Sequence, residues 1–314
     1  MTNLTKDPKI IQKEICPCCS SNMWIRTKID LMNDYLVCNS CGLNSQEMPE
    51  NISNDEFYKI QQEHYFSDSD MFNSKLMIAV ETEENKTKLN KFKKHIRNNI
   101  DVIEIGPGSG SFALLIESIV SSITLVEESR ELSHRLTQIF KGKIINKNLS
   151  EFKTEEKYDA AFSFQVIEHI NEIQDYLLTI KSILKDDGLF FLTTPNADSF
   201  QHNLPLNLSP NFDNAHIYVF SLNSIKLLFN KAGFEIVEIT TPEYSSTWLR
   251  VVTKIIRRIL KKSETETAGT YIKNENTLFK VFFFMFKFAS FPFRKIQEKL
   301  NKGNEIFIVA KKLS

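Results

Sequence analysis

Four of the five cysteines fall into two Cys-x2-Cys pairs, Cys16/Cys19 and Cys38/Cys41, with eighteen residues between them. Such a pair forms a tight turn that aims two thiolates at one point, and two pairs build the tetrahedral sulfur cage that zinc prefers. A closed four-thiolate site leaves no position for a substrate, so the zinc expected here is structural. Cys18 is the spare thiol. The alternatives are four unligated thiols and a zinc ribbon that contacts nucleic acid. The intervening residues set Arg26 and Lys28 against Asp30 and Asp34, which is not a basic reading head.

A second constellation is the segment DVIEIGPGSGSF, 101–112. Gly106, Gly108 and Gly110 sit in a loop between an apolar run and a helical pattern. Glycine permits positive φ and lets a ligand approach the backbone. At the carboxyl end of a first strand, such a loop is where doubly wound sheets bind nucleotides. The spacing is not the dinucleotide fingerprint G-x-G-x-x-G, whose third glycine would fall at Ser111, and no lysine follows to make a phosphate-binding loop. Glu104 puts negative charge where a pyrophosphate would lie, and suits a cationic ligand carrying an amino group and a sulfonium. Glu127 ends the next apolar run, about 20 residues after the loop, where a carboxylate accepts hydrogen bonds from both ribose hydroxyls. Glu128 is its alternative.

Proton-transfer candidates lie further on. His169 follows the fourth apolar run and His216 lies in the loop after the fifth; histidine is the usual base near neutral pH. Glu168 can be a second base or only a carboxylate at a helix N-terminus. The alternative for each histidine is packing: His169 closing over the nucleoside pocket, His216 stacked with Tyr218 and Phe220. His64, Tyr65 and Phe66 either line the acceptor side or pack a cap helix.

Residues 99–240 supply the scaffold these groups need. Short apolar runs alternate with helical patterns there, the signature of βαβ units and a parallel sheet. Strands are predicted at 102–105, 123–127, 143–145, 158–164, 189–193, 234–239 and 304–310. Helices are predicted from the glycine loop to about 120, and at 132–140 and 222–232. The fold class expected is α/β, a doubly wound Rossmann-like seven-stranded sheet. The chain divides into a zinc-ribbon module (1–50), a cap segment (51–98) ending in a helix over 83–98, the ligand-binding domain (99–240), a helical insert (241–303) and the last strand of the sheet (304–314).

Over about residues 95–240 the chain resembles class I S-adenosylmethionine-dependent methyltransferases. The run from Glu104 to Gly110 is similar to that family's first motif, and Glu127 to its ribose-binding acid. Asn148 stands where the family usually has an Asp that holds the adenine amine. The run Phe164-Gln165-Val-Ile-Glu168-His169 resembles the V-(L/I)-E-H signature after strand four, and places Gln165 among the cofactor contacts. Thr193-Thr-Pro-Asn196, His216-x-Tyr-x-Phe-Ser221 and Ala232-Gly-Phe234 are similar to the quinone and sugar methyltransferases. With the zinc ribbon, the resemblance extends to bacterial enzymes of polysaccharide or modified-sugar synthesis. It implies S-adenosylmethionine as cofactor and a small acceptor, a sugar or lipid-linked glycan, with O-methylation the preferred chemistry. A non-catalytic scaffold and an NAD-dependent oxidoreductase are the competing readings. The intact set of Glu104, the three glycines and Glu127 argues against the first; the glycine spacing and Glu104 argue against the second.

Bulk properties narrow the partners. The 314 residues carry 39 basic and 39 acidic side chains, a formal net charge of zero, so the molecule as a whole is not an electrostatic nucleic-acid binder. The first fifteen residues lack the apolar core of a secretory signal, and cysteines clustered before residue 42 favour metal over disulfides in a reducing compartment. Both place the protein in the cytoplasm. No run of about 18 uncharged apolar residues is present to span a membrane. The insert nevertheless holds two amphipathic segments. In 248–262, Arg250, Lys254, Arg257 and Lys261 recur on one helical face, with Trp248, Val252, Ile255, Ile256 and Ile259 on the other. In 278–293, Lys280 and Lys287 punctuate a phenylalanine-rich run that Pro292 is expected to end. These helices are expected on the anionic inner face of the membrane, or packed on the domain or against a second copy of the chain.

Overall fold

The computed structural model describes residues 10–28, 34–46, 75–96, 99–203, 216–259 and 277–313. His64, Tyr65, Phe66 and Lys261 lie outside them, as do the side chains of Lys254, Ile256, Arg257, Ile259 and Lys280.

The chain opens with four short strands, β1 (Ile10–Gln12), β2 (Met23–Lys28), β3 (Asp34–Cys38) and β4 (Asn44–Gln46). A long helix, α1 (Lys75–His95), precedes the main sheet. Then β5 (Asp101–Ile105), α2 (Ser111–Ile116), β6 (Ser122–Val126), α3 (Arg130–Ile139) and β7 (Lys143–Ile145) wind outward in one direction. The chain crosses back through β8 (Tyr158–Phe164), α4 (Ile173–Ile183) and β9 (Leu184–Pro195). It finishes with β10 (Tyr218–Val219), α5 (Leu222–Lys231), β11 (Phe234–Thr240), α6 (Ser245–Ile259), α7 (Thr277–Lys299) and β12 (Glu305–Lys312).

The main sheet has the order β11-β12-β9-β8-β5-β6-β7. β5, β6, β7, β8 and β9 pair in parallel, while β12 runs antiparallel between β9 and β11. The strand order reverses between β5 and β8, and the crevice outside their carboxyl ends is where an open α/β sheet binds its ligand. Apolar residues on both faces bury the sheet from both sides. Phe92, Phe112, Phe162, Phe191 and Phe307 form one layer, and Phe190, Phe229, Phe234, Leu177 and Ile180 the other. Neighbours in sequence such as Phe190 and Phe191 divide between the layers because successive strand side chains point to opposite faces.

Two hydrogen-bonded devices fix the elements that carry the site. Lys91, Lys94 and His95 of α1 all bond the Glu238 carboxylate of β11, at 2.5, 3.0 and 2.5 Å. That clamp sets the register of α1 over the sheet. Ser221 caps α5 in a reciprocal box with Ser224, which anchors the end of the β10 segment.

Several boundaries differ from the sequence expectation. The helix after the glycine loop stops at Ile116 rather than near 120. The strand expected at 189–193 is longer, Leu184–Pro195. Pro292 does not end its helix: α7 runs through it to Lys299. A proline opens the turn before it, and here the Arg294 guanidinium donates to the Lys287 carbonyl at 3.2 Å, with the Ser290 hydroxyl at 3.4 Å. These side chains bind a carbonyl of the turn before the proline, and Arg294 also ties the helix to Glu83 and to the Glu243 carbonyl, at 3.2 and 3.1 Å. The four N-terminal strands gain a fifth from far along the chain, in the order β1-β2-β3-β4-β10. Gln46 N–H donates to Ile217 O at 2.8 Å, and Tyr218 and Val219 pair with Ser45 and Asn44.

Candidate active site

The glycine loop leaves β5 with Gly106, Gly108 and Gly110 all at positive φ, between 55° and 73°. Two of them are packed. A Cβ on Gly106 would lie 2.7 Å from Val166 Cγ2, and one on Gly110 would lie 2.6 Å from Leu136 Cδ2. Gly108 faces open space, with nothing within 4 Å of a Cβ placed there. Its N–H donates to Glu127 Oε2 at 3.4 Å, while Ser129 N–H donates to Glu127 Oε1 at 2.9 Å. Glu127 is therefore held by backbone on both oxygens. Asn146 donates to the carbonyl oxygens of Glu127 and Glu128, at 2.8 and 2.9 Å, and so ties the end of β7 to that acid.

Glu104 is buried, and its Oε2 has no hydrogen-bond partner. Burial pushes its carboxyl up to about 8 against the pull of Lys88, with the Glu127 charge adding to the rise. Burial also pushes Glu127 up to about 7 against the two backbone N–H bonds. A bare buried carboxylate oxygen is costly to ionise unless a cation meets it. The open face of Gly108, the bare oxygen of Glu104 and the fixed carboxylate of Glu127 together fit a nucleoside that bears a positively charged amino-acid chain.

Sequence reasoning missed the cluster on the other side of Glu104. Lys88, on α1, is buried with its ammonium 4.6 Å above the Phe164 ring. Its charge draws down both Glu104 and Glu305. Glu305 opens β12; burial pushes it up to about 7, and Tyr244 donates to it at 3.0 Å. Gln165, at φ 58°, donates to Glu305 Oε2 at 2.8 Å and to Thr193 Oγ1 at 3.2 Å. Its amide thus knits β8, β9 and β12 together. The sole sequence signal for Lys88 was a lysine one turn before Phe92 on the apolar face of a helix. Asn148, expected at the adenine, caps a short 3-10 turn: its Oδ1 accepts from both Ser150 N–H and Ser150 Oγ, each at 2.9 Å.

Beyond β8 the chain turns through Ile167–His169. Glu168 is fully buried, in the first turn of this 3-10 helix. Thr194 Oγ1 donates to its Oε2 at 3.1 Å, and its Oε1 has no partner. Burial pushes this carboxyl up to about 8. His169 and His216 meet edge to face with ring centroids 4.9 Å apart, and Ile217 N–H donates to Glu168 O at 2.9 Å. One ligand atom from each of Glu168, His169 and His216 lies within 4.8 Å of the others. Val166, two residues before Glu168 in the chain, packs against Gly106 of the glycine loop.

The four paired cysteines converge, with Sγ–Sγ distances of 3.6 Å (Cys16–Cys41) and 3.5 Å (Cys19–Cys38). A tetrahedral ion with zinc–sulfur bonds of about 2.3 Å needs sulfurs about 3.8 Å apart, so the set fits one. The knot is not remote from the sheet. Cys16, Cys38, Cys41 and Leu43 share a core with Ile173 and Phe220, Ser221 Oγ donates to Cys41 O at 2.6 Å, and Gln174 donates to Pro17 O at 2.7 Å.

Comparison with known proteins gives this geometry its family. The profile of a methyltransferase-domain family matches residues 78–239. A probable S-adenosylmethionine-dependent methyltransferase of Mycolicibacterium smegmatis is 27% identical over 140 residues, 43% of this chain and 52% of that protein. A ubiquinone biosynthesis O-methyltransferase of Rickettsia bellii is 20% identical over 115 residues, 34% of this chain and 48% of that one. The chain thus spans about half the length of these curated relatives. The fold matches the 1,6-didemethyltoxoflavin-N1-methyltransferase of Burkholderia thailandensis, solved with S-adenosylhomocysteine. That match has a TM-score of 0.51 and 11% identity, and covers 92% of this chain and 99% of that one. With the acid-flanked glycine loop at the carboxyl end of β5, these matches place the chain among the class I S-adenosylmethionine-dependent methyltransferases.

Proposed function

We propose that the enzyme methylates an oxygen of a small acceptor, a sugar or a lipid-linked glycan. The observation that supports this is the convergence of Glu168, His169 and His216 just past the carboxyl end of β8, where Val166 also packs on the glycine loop. Bound S-adenosylmethionine supplies an electrophilic methyl group on a sulfonium. The chain's own residues do the rest. Glu104 meets the ammonium group, Lys88 opposes the carboxylate, and Glu127 takes the ribose hydroxyls. The packed glycines hold the loop rigid, and good orientation of this kind can lower the barrier by about 7–11 kcal/mol. An acceptor hydroxyl beside the two imidazoles gives its proton to His169 or His216 as its oxygen attacks the methyl carbon. General-base assistance contributes roughly 10²–10⁴-fold. If His169→Ala and His216→Ala each keep near wild-type turnover, neither is the base.

Zinc held by Cys16, Cys19, Cys38 and Cys41 has a structural part in this reading. The ribbon sheet supplies β4, β4 seats β10, and His216 lies two residues before that strand.

A lipid-linked acceptor is favoured by α7. Its buried face packs through Trp248–Phe293 (5.3 Å), the Trp248–Gln297 hydrogen bond (2.8 Å) and Arg294 on Glu83 (3.2 Å). The opposite face exposes Phe284, Met285, Phe288, Phe291 and Ile296, with Lys295 and Lys299 among them. Aromatic and basic side chains on one helical face suit the interface of an anionic bilayer. Among the described residues no helix is long and apolar enough to cross a membrane, so this contact is peripheral.

A further inference from the structure

We propose that Glu168, His169 and His216 together hold a divalent transition-metal ion, and that the acceptor presents two adjacent oxygens to it. This rests on the oxygen-methylation reading above and names the acceptor class for that same site.

Three observations carry the proposal. The candidate ligand atoms already lie within 4.8 Å of one another; an ion with bonds of about 2.0–2.2 Å sets neighbouring ligands about 2.9–3.6 Å apart, so a side-chain closure of about 1–2 Å completes the site. Glu168 is fully buried, yet one of its carboxylate oxygens has no hydrogen-bond partner; a native structure rarely leaves such an atom bare without an ion or water to meet it. The Thr194 hydroxyl holds the other oxygen, which fixes how the carboxylate is presented. Ligating groups are characteristically oriented by such outer hydrogen bonds.

The donor set is also informative. Two imidazoles and one carboxylate from the protein leave coordination positions for a substrate, unlike the closed four-cysteine knot. Separate parts of the chain supply the ligands. Glu168 and His169 come from the turn after β8, and His216 lies two residues before β10, which the ribbon sheet holds. The two meet through the Ile217–Glu168 backbone hydrogen bond.

The chemistry balances without any other reactant. A hydroxyl oxygen on a divalent ion releases its proton to water near neutral pH. Its lone pair attacks the methyl carbon, the oxygen–carbon bond forms, and the carbon–sulfur bond breaks. The electron pair stays on sulfur, which leaves as a neutral thioether. Neighbouring hydroxyls, as in a vicinal diol or a catechol, fill two open positions and place one oxygen for attack. An imidazole nitrogen bound to the ion cannot also take the proton, so this arrangement replaces the histidine base.

The test uses the full chain with its zinc in place. Mn²⁺ binding is followed by electron paramagnetic resonance, and Co²⁺ binding by absorption. Mn²⁺ prefers oxygen and nitrogen donors and discriminates against the thiolate knot. One ion per chain is expected beyond the zinc, with affinity falling at least tenfold in Glu168→Gln and in His216→Ala. S-adenosylhomocysteine affinity should stay unchanged in both, which shows that they are folded. Absence of both ions from the wild-type cluster would overturn the proposal, as would binding that both variants retain. If no ion binds but His169→Ala or His216→Ala abolishes turnover, the metal fails and the base reading stands. If the ion binds and only nitrogen acceptors are methylated, the oxygen reading fails while the metal site stands.

Discussion

Replacing Glu104 by glutamine separates the two demands placed on a buried acid. In the free protein burial raises this carboxyl to about 8, so at pH 7 it is mostly protonated. Meeting the cofactor's ammonium requires its ionised form. A charge-assisted hydrogen bond contributes about 1.5–3 kcal/mol, and ionising the acid costs about 1.4 kcal/mol for each pH unit below its own value. At pH 8 the acid is already half ionised, nearly the full effect is expressed, and Glu104→Gln weakens S-adenosylhomocysteine binding by roughly 10- to 100-fold. Near pH 6 the ionisation cost of about 2.7 kcal/mol cancels most of the gain, and the two proteins converge. Stability moves the other way. The folded-state value lies above the unfolded one, so the contribution of Glu104 is complete below pH 4.5 and is lost as pH rises toward 8. The loss runs at about 1.4 kcal/mol per unit. The glutamine variant lacks that slope and unfolds at a higher temperature than the wild type at pH 7. Calorimetry at pH 6 and pH 8, with thermal unfolding of the free proteins, measures both effects. Equal affinity for wild type and variant at pH 8, or wild-type affinity that does not change between the two pH values, would refute the reasoning.

Other perturbations distinguish the parts of the account. Gly108→Ala puts a methyl group into the open face of the loop and should abolish cofactor binding, with unfolding temperature lowered only by the strain of an L residue at φ 55°, about 1–2 kcal/mol. Gly110→Ala drives a Cβ against Leu136 and should lose both, which thermal unfolding with and without S-adenosylhomocysteine will show. Removing zinc, or Cys41→Ser, should speed amide exchange at residues 217–221 and lower turnover while leaving S-adenosylhomocysteine affinity intact, because no ribbon residue contacts Glu104 or Glu127 among the described bonds. Phe284→Asp with Phe288→Asp should release the protein from anionic liposomes in co-sedimentation; a wild type that never sediments with them removes the membrane reading, and a dimer that the same variant dissociates assigns the face to a second copy.

What the sequence made legible was local. The glycine loop, Glu104 and Glu127 lie on consecutive elements, and their spacing alone sets a strand, a turn and an acid in register. The cysteine pairs are legible for the same reason. Lys88, Gln165 and Glu305 act together but come from α1, the end of β8 and the start of β12, so no short window contains their relation. A lysine on an apolar helix face reads as a surface residue until the two acids it opposes are brought beside it. The two-residue strand β10 was illegible because its pairing with β4 defines it, and its own residues do not. Pro292 reads as a helix end by propensity, and tertiary hydrogen bonds from Arg294 override it.

The most direct test of the central claim is binding of S-adenosylhomocysteine by titration calorimetry, wild type against Glu127→Ala. The account predicts micromolar binding to the wild type and a loss of about 100-fold or more in the variant, which forfeits two charge-assisted bonds to the ribose. No binding by folded, zinc-loaded wild type, or equal binding by both proteins, would contradict it.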